Sequence, residues 1–148
     1  MIEWIQNFFS GVIPKLLLNA TLETLYMTFV STALAFILGL VLAIVLILTR
    51  RGGLCENRII YAVLDVAINT LRSFPFIILL IVLFPLTKLL VGTSIGTTAA
   101  IVPLTIGSAP FIARLIESAL LEVDSGVIEA AKSFGASKTQ IIFRVMFV

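Results

Sequence analysis

The longest stretch without a charged residue runs from Thr24 to Thr49 and contains 26 residues. As a helix that rises 1.5 Å per residue, this stretch would be about 39 Å long. The hydrocarbon core of a bilayer is about 30 Å thick, and a helix needs roughly 20 apolar residues to cross it. The stretch is longer than a buried soluble helix requires, and it predicts a membrane-spanning helix.

Two more charge-free stretches follow, from Ser73 to Thr87 and from Leu89 to Ala113. With 60% hydrophobic and 12% charged residues, the chain carries about half the charge of a soluble domain. We therefore predict an all-α membrane protein with three spans, at about 24–49, 67–88 and 95–116. Residues 1–19 have apolar residues at helical spacing and predict an amphipathic segment on the membrane surface, ahead of a transmembrane domain over 20–148.

The arginines indicate how the chain is oriented. The short connection from Arg50 to Arg58 contains three arginines and two glycines. Because cytoplasmic loops are enriched in Lys and Arg, this loop should face the cytoplasm and the N-terminus the outside. After a third crossing, the charged tail that follows Arg114 should again be cytoplasmic.

The composition argues against several other classes of protein. A net charge of +2 is too small to indicate nucleic-acid binding. One cysteine, Cys55, and no histidine make a Cys/His metal site implausible. The sequence has neither a phosphate-binding glycine loop ending in Gly-Lys-Ser/Thr nor a Ser/His/Asp set. We therefore expect neither catalysis nor a cofactor in this chain.

The tail carries the signals of a short helix, a corner and a second helix. Asp124 or Ser125 can cap the first helix, and Gly135 suits the left-handed position that ends it. Ser137 and Gln140 have the spacing of a capping box at the start of the second helix. The shape suits docking to another protein, although a solvated amphipathic helix beside the membrane would give the same signals.

Within this tail, Glu129-Ala130-Ala131, three residues and then Gly135-Ala136 resemble the E-A-A-x3-G loop of ABC-importer permeases. In that family the loop is a coupling helix that inserts into the ATP-binding subunit. The resemblance implies four partners: a cytoplasmic ATP-binding subunit, an extracytoplasmic substrate-binding lipoprotein, a second permease copy and the lipid of a bacterial inner membrane. It also implies that ATP hydrolysis resides in the partner and that this chain is not an enzyme.

A second resemblance narrows the substrate. Arg72, Ser73 and Pro75 match the R-[GS]-x-P element of amino-acid permeases, and the segments at 92–96 and 101–107 are similar to methionine-import permeases. The resemblance implies methionine as the substrate. Asp65, Asn69 and Arg72 could form a substrate site, although we expect an interfacial structural role. Pro103, Gly107 and Pro110 could form a gate hinge or simply pack closely.

The resemblance weakens at the end of the sequence. The family loop continues to I-x-L-P, which here falls on Val145, Met146, Phe147 and Val148 and lacks the proline. Because methionine-type permeases have five spans, we expect this chain to be a fragment with little transport of its own. The alternative is a small membrane adaptor that binds a soluble partner without a transport pathway.

Overall fold

A computed structural model describes residues 12–142 and 144, and these residues are almost entirely helical. Positions 1–11 of the predicted surface segment 1–19 lie outside the described residues. Residues 145–148, where the I-x-L-P pattern of the family would fall, also lie outside them. Six α-helices are described, in this order: α1 (Val12–Thr49), α2 (Arg58–Ser73), α3 (Phe76–Val91), α4 (Thr97–Leu121), α5 (Ser125–Ser133) and α6 (Lys138–Ile141).

Helix α1 begins 12 residues before the predicted span and continues through Pro14, which its first turn can tolerate. It carries a stripe of small residues at every fourth position, which lie on one face of a helix. Backbones approach closely where such stripes meet another helix in a membrane. All members of the stripe are buried: Ser31, Ala35, Gly39 and Ala43.

The small-residue stripe of α1 packs against α4. A Cβ atom added at Gly39 would lie 2.8 Å from Ile112 Cγ2 and 3.0 Å from the Ala109 carbonyl oxygen. Near the other end, the Thr97 hydroxyl donates a hydrogen bond to Glu23 Oε2 at 3.2 Å. Residue numbers rise together along both helices, so α1 and α4 run in the same direction. The chain between them must therefore return across the same thickness.

Helices α2 and α3 make this return, and the chain bends by 114° between them. The sequence predicted one helix over 67–88, whereas the structure has a corner at Phe74 and Pro75 with Phe74 extended (φ −75°, ψ 134°). A proline disfavours helical geometry in the residue before it and donates no backbone hydrogen bond. Counted as one broken crossing, this pair joins α1 and α4 to give the three crossings expected from the sequence.

Helix α4 continues to Leu121, five residues beyond the predicted end of the third span at 116. The prediction stopped there because Glu117 looked like the start of the charged tail. In the structure Glu117 is buried, with 4% of its surface exposed, and it pairs with Arg114. A paired carboxylate can remain inside a helix bundle that would exclude an unpaired one.

The packing of α1 on α4 gives the first testable prediction. Gly39→Leu should destabilise the protein by about 1–3 kcal/mol, because the new side chain overpacks the contact with Ile112 and Ala109. Thermal unfolding of the detergent-solubilised protein measures the effect. Ala33→Leu adds a bulky side chain at an exposed position of the same helix and serves as the matched control. Equal melting temperatures for the two variants would contradict the close contact.

Candidate functional site

The tail after α4 folds as the sequence predicts, and we call the segment 124–141 the corner segment. Of the two candidate caps, Asp124 occupies the N-cap of α5, where its Oδ1 accepts a hydrogen bond from the Gly126 N–H at 2.7 Å. This bond satisfies one of the amide groups that a helix start leaves unpaired. The short helix α5 therefore has a defined beginning.

Helix α5 ends in a Schellman motif at Gly135. The Ala136 N–H donates to the Ala131 carbonyl at 3.0 Å, and the Gly135 N–H donates to the Lys132 carbonyl at 2.9 Å. Gly135 has φ +81°, the left-handed conformation that glycine adopts without a steric cost. The predicted left-handed end is confirmed, and it turns the chain sharply after nine helical residues.

The second helix of the corner segment starts with the predicted capping box. The Gln140 N–H donates to Ser137 Oγ at 3.3 Å, and the Ser137 N–H donates to Gln140 Oε1 at 2.8 Å. These reciprocal bonds define the start of α6. Both helices of the corner segment are therefore fixed by local hydrogen bonds at the turn that joins them.

The corner segment lies beside the α1–α2 loop. A cavity of about 240 Å³ separates them and is lined by Arg50, Gly52 and Leu54 from the loop and by Glu129 and Lys132 from α5. The two loops are therefore on the same side of the helical bundle. Phe134, at the end of α5, is 92% exposed, which leaves a large aromatic ring on the outer surface of the corner segment.

The α1–α2 loop is ordered by its own polar contacts. The Gly52 N–H donates to Glu56 Oε2 at 3.1 Å, and Arg58 Nε donates to Glu56 Oε1 at 3.2 Å. The Gly52 hydrogen bond and then the Arg58 interaction lower the pKa of Glu56. The stabilisation from this carboxylate is present above its unfolded pKa and is lost as the pH falls through its lowered folded pKa, so neutral pH preserves it.

A polar cluster lies deeper in the bundle, where α2 crosses α4. The Arg114 guanidinium donates to Asp65 Oδ1 and, at 2.6 Å, to Glu117 Oε2. The Tyr61 hydroxyl lies 3.5 Å from Glu117 Oε1, and Asn69 Nδ2 donates to Asp65 Oδ2 at 3.3 Å. The cluster joins the C-terminal half of α4 to α2 through charged hydrogen bonds, which are stronger than neutral ones.

The sequence indicated only part of this polar cluster. Asp65 and Asn69 were expected to have an interfacial structural role, and the structure places them against Arg114. The sequence placed Arg114 just inside the predicted end of the third span and Glu117 just beyond it, in the charged tail. Their opposite charges three residues apart on a helix were an available signal of pairing, but the partner helix was not visible in the sequence.

The R-[GS]-x-P element forms the corner between α2 and α3. Arg72 does not join the polar cluster, and its guanidinium lies over the Phe111 ring, 5.8 Å from the centroid. The Ser73 hydroxyl donates to the Asn69 carbonyl at 2.7 Å. Pro75 is the N-cap of α3. These three residues therefore shape the break in the second crossing.

Pro103, Gly107 and Pro110 all lie inside α4, which is continuous through them. The two prolines are buried. A Cβ atom at Gly107 would come within 3.2 Å of Leu79 Cδ2 and 3.3 Å of Phe76 Cε2. This contact accounts for Gly107 by close packing of α3 on α4, and the gate hinge stays a prediction.

The fold and the corner segment define a helical membrane protein that presents an ordered loop beside the bundle. The model of the family described as "Binding-protein-dependent transport system inner membrane component" matches residues 37–147. The chain belongs to this family. Membership agrees with the predicted membrane location and with the class of permease that the sequence resembles.

Curated relatives of high identity have methionine transport in their names. The chain is 54% identical over 131 residues to the probable D-methionine transport system permease protein MetI of Vibrio cholerae, covering 88% of this chain and 58% of the relative. It is 52% identical over 137 residues to the D-methionine transport system permease protein MetI of Yersinia pestis, covering 93% and 63%. The chain therefore spans about 60% of the length of these relatives.

A solved structure shares the fold. The inward-facing structure of the MetNI methionine ABC transporter has a chain that superimposes with a TM-score of 0.87 and is 48% identical. The match covers 90% of this chain and 62% of that chain. The all-α membrane fold predicted from the sequence is confirmed.

The polar cluster gives the second prediction. Arg114→Gln should destabilise the protein by about 3 kcal/mol, because it leaves the buried Glu117 carboxylate without its charged partner. The double variant Arg114→Gln/Glu117→Gln should recover part of that loss, since no buried charge remains at position 117. Thermal unfolding in detergent measures all the variants.

The matched control for Arg114→Gln is Arg58→Gln, which breaks the exposed pair with Glu56. Exposed ion pairs contribute little, so this change should cost less than about 1 kcal/mol. A double variant less stable than Arg114→Gln alone would show that the charge on Glu117 is not what Arg114 neutralises.

Proposed function

We propose that the chain is the membrane-spanning part of a permease subunit in an ATP-driven importer for methionine. The observation that carries the proposal is the pair of high identities to methionine permeases, 54% and 52%, over most of this chain. In this proposal a cytoplasmic ATP-binding subunit supplies the energy. An extracytoplasmic binding protein delivers the substrate, and a second permease copy completes the pathway.

The corner segment is the proposed contact with the ATP-binding subunit. Its coupling residues are Glu129, Ala130, Ala131, Gly135 and Ala136. Their arrangement supports this role, because the Ala131 carbonyl and the Gly135 and Ala136 N–H groups all belong to the Schellman motif that ends α5. A short helix whose two ends are fixed by hydrogen bonds can be displaced as a rigid body. The exposed Phe134 ring adds apolar surface for the contact.

The corner segment also has a direct connection to the transmembrane helices. Three residues separate the end of α4 at Leu121 from the start of α5 at Ser125. The polar cluster then ties the last turns of α4 to α2 through Arg114 and Asp65. A displacement of the corner segment would therefore move α4 and α2 together. This is the property that coupling to ATP hydrolysis requires.

The third prediction tests this contact. The Glu129→Lys and Gly135→Val variants are co-expressed with the ATP-binding subunit of a methionine ABC transporter. The yield of ATP-binding subunit that co-purifies with each variant should be at least about tenfold lower than with wild type. Glu129→Lys reverses a charge on the proposed contact surface. Gly135→Val forces a β-branched residue into the left-handed conformation and disrupts the corner.

Two matched controls accompany these variants. Glu122→Lys makes the same charge reversal at an exposed position before the corner segment and should leave the yield unchanged. Gly135→Asn should keep most of the yield, because asparagine tolerates the left-handed conformation better than valine. Undiminished co-purification of Glu129→Lys and Gly135→Val would refute the coupling role. If the ATP-binding subunit co-purifies with wild type but the assembled complex takes up no methionine, the alternative of a small membrane adaptor without a transport pathway is favoured.

A further inference from the structure

Arg72, near the end of α2, contacts α4 at a point far from either end of that helix. Its guanidinium contacts Phe111, which is ten residues before the end of α4 at Leu121. At 1.5 Å per residue, Phe111 is about 15 Å from the C-terminal end of α4 at Leu121 and about 21 Å from its start at Thr97. Arg72 therefore contacts the middle third of α4, and a charged side chain at that level of a membrane-spanning helix is costly and is usually functional.

Arg72 has no carboxylate partner within the described ranges 12–142 and 144. The ion pairs there involve Arg58 and Arg114. Asp65 on the same helix and Glu117 on α4 both bind Arg114. The aromatic ring of Phe111 compensates only part of the cost of a cation in the membrane. The environment of Arg72 therefore favours an anionic partner.

A cavity of about 340 Å³ opens beside Arg72 at the corner between α2 and α3. Its volume is within the range of small-molecule sites, about 300–1,000 Å³. Three aromatic rings line it together with the one guanidinium: Phe74, Phe76 and Phe111. Gly107 also lines the cavity, and a side chain at that position would crowd Phe76 and Leu79.

We propose that this cavity binds the transported amino acid, with its carboxylate on Arg72 and its side chain against the three phenylalanine rings. The assignment rests on the proposed function and names a substrate-contacting site for it. A guanidinium pairs with a carboxylate through two parallel hydrogen bonds. A thioether makes favourable contacts with aromatic rings. The cavity thus offers one group for each end of methionine.

Uptake of radiolabelled methionine tests the site in the complete complex, reconstituted in vesicles with its ATP-binding subunit and binding protein. Arg72→Gln should lower uptake by at least about tenfold, because a charged hydrogen bond to the substrate is lost. Arg72→Lys should retain part of the uptake, since it keeps the positive charge. Arg58→Gln, at the exposed start of α2, should transport like wild type.

A second measurement uses the unmodified complex and does not depend on a variant folding. Phenylglyoxal modifies accessible arginines, and mass spectrometry quantifies the product at Arg72 and Arg58. Methionine should protect Arg72 several-fold and leave Arg58 unaffected, whereas methioninamide, which lacks the carboxylate, should protect neither. Equal protection by methionine and methioninamide, or none by either, would overturn the carboxylate assignment.

The outcomes separate this inference from the proposed function. A wild-type complex that takes up no methionine contradicts the proposed function itself. Normal uptake by wild type together with undiminished uptake by Arg72→Gln contradicts only the role of Arg72. Loss of co-purified ATP-binding subunit in Arg72→Gln, without protection of Arg72 by methionine in the wild type, would show instead that Arg72 pairs with another part of the complex.

Discussion

The small-residue face of α1 brings two long helices of the same direction into contact, and much of the architecture follows from this constraint. At Gly39 the backbone of α1 approaches α4 so closely that no side chain fits between them. Parallel neighbours of this length need a connection that returns across the bundle. The segment 50–96 must therefore make that return. As a result, the α1–α2 loop and the corner segment lie at the same end, where they share a cavity.

The returning segment is broken into two arms, and each arm makes a different kind of contact with α4. Helix α2 carries the polar residues to α4, where Asp65 binds Arg114. The corner at Pro75 then redirects the chain, so α3 packs on α4 through Phe76 and Gly107. One polar contact and one apolar contact thus fix the two arms of the broken crossing to the same helix. The cavity beside Arg72 lies at the junction of these arms.

The sequence predicted best those features that depend on local signals. Three crossings follow from charge-free stretches, and the caps at Asp124, Gly135 and Ser137 follow from residue types at fixed spacing. The corner at Pro75 could not be separated from Pro103 and Pro110, which have the same chemistry but lie inside a continuous helix. Helix neighbours decide which proline breaks a helix in a membrane. The burial of Glu117 likewise depends on a partner helix far along the chain.

The orientation of the bundle can be measured with the chain's one cysteine, the exposed Cys55 in the α1–α2 loop. A membrane-impermeant maleimide should leave Cys55 unlabelled in intact spheroplasts and label it after permeabilisation. In a Cys55→Ser background, Ile95→Cys should label without permeabilisation and Ser133→Cys only after it. Labelling of Cys55 and Ser133→Cys from the outside would place the corner segment away from the cytoplasm and contradict its contact with an ATP-binding subunit.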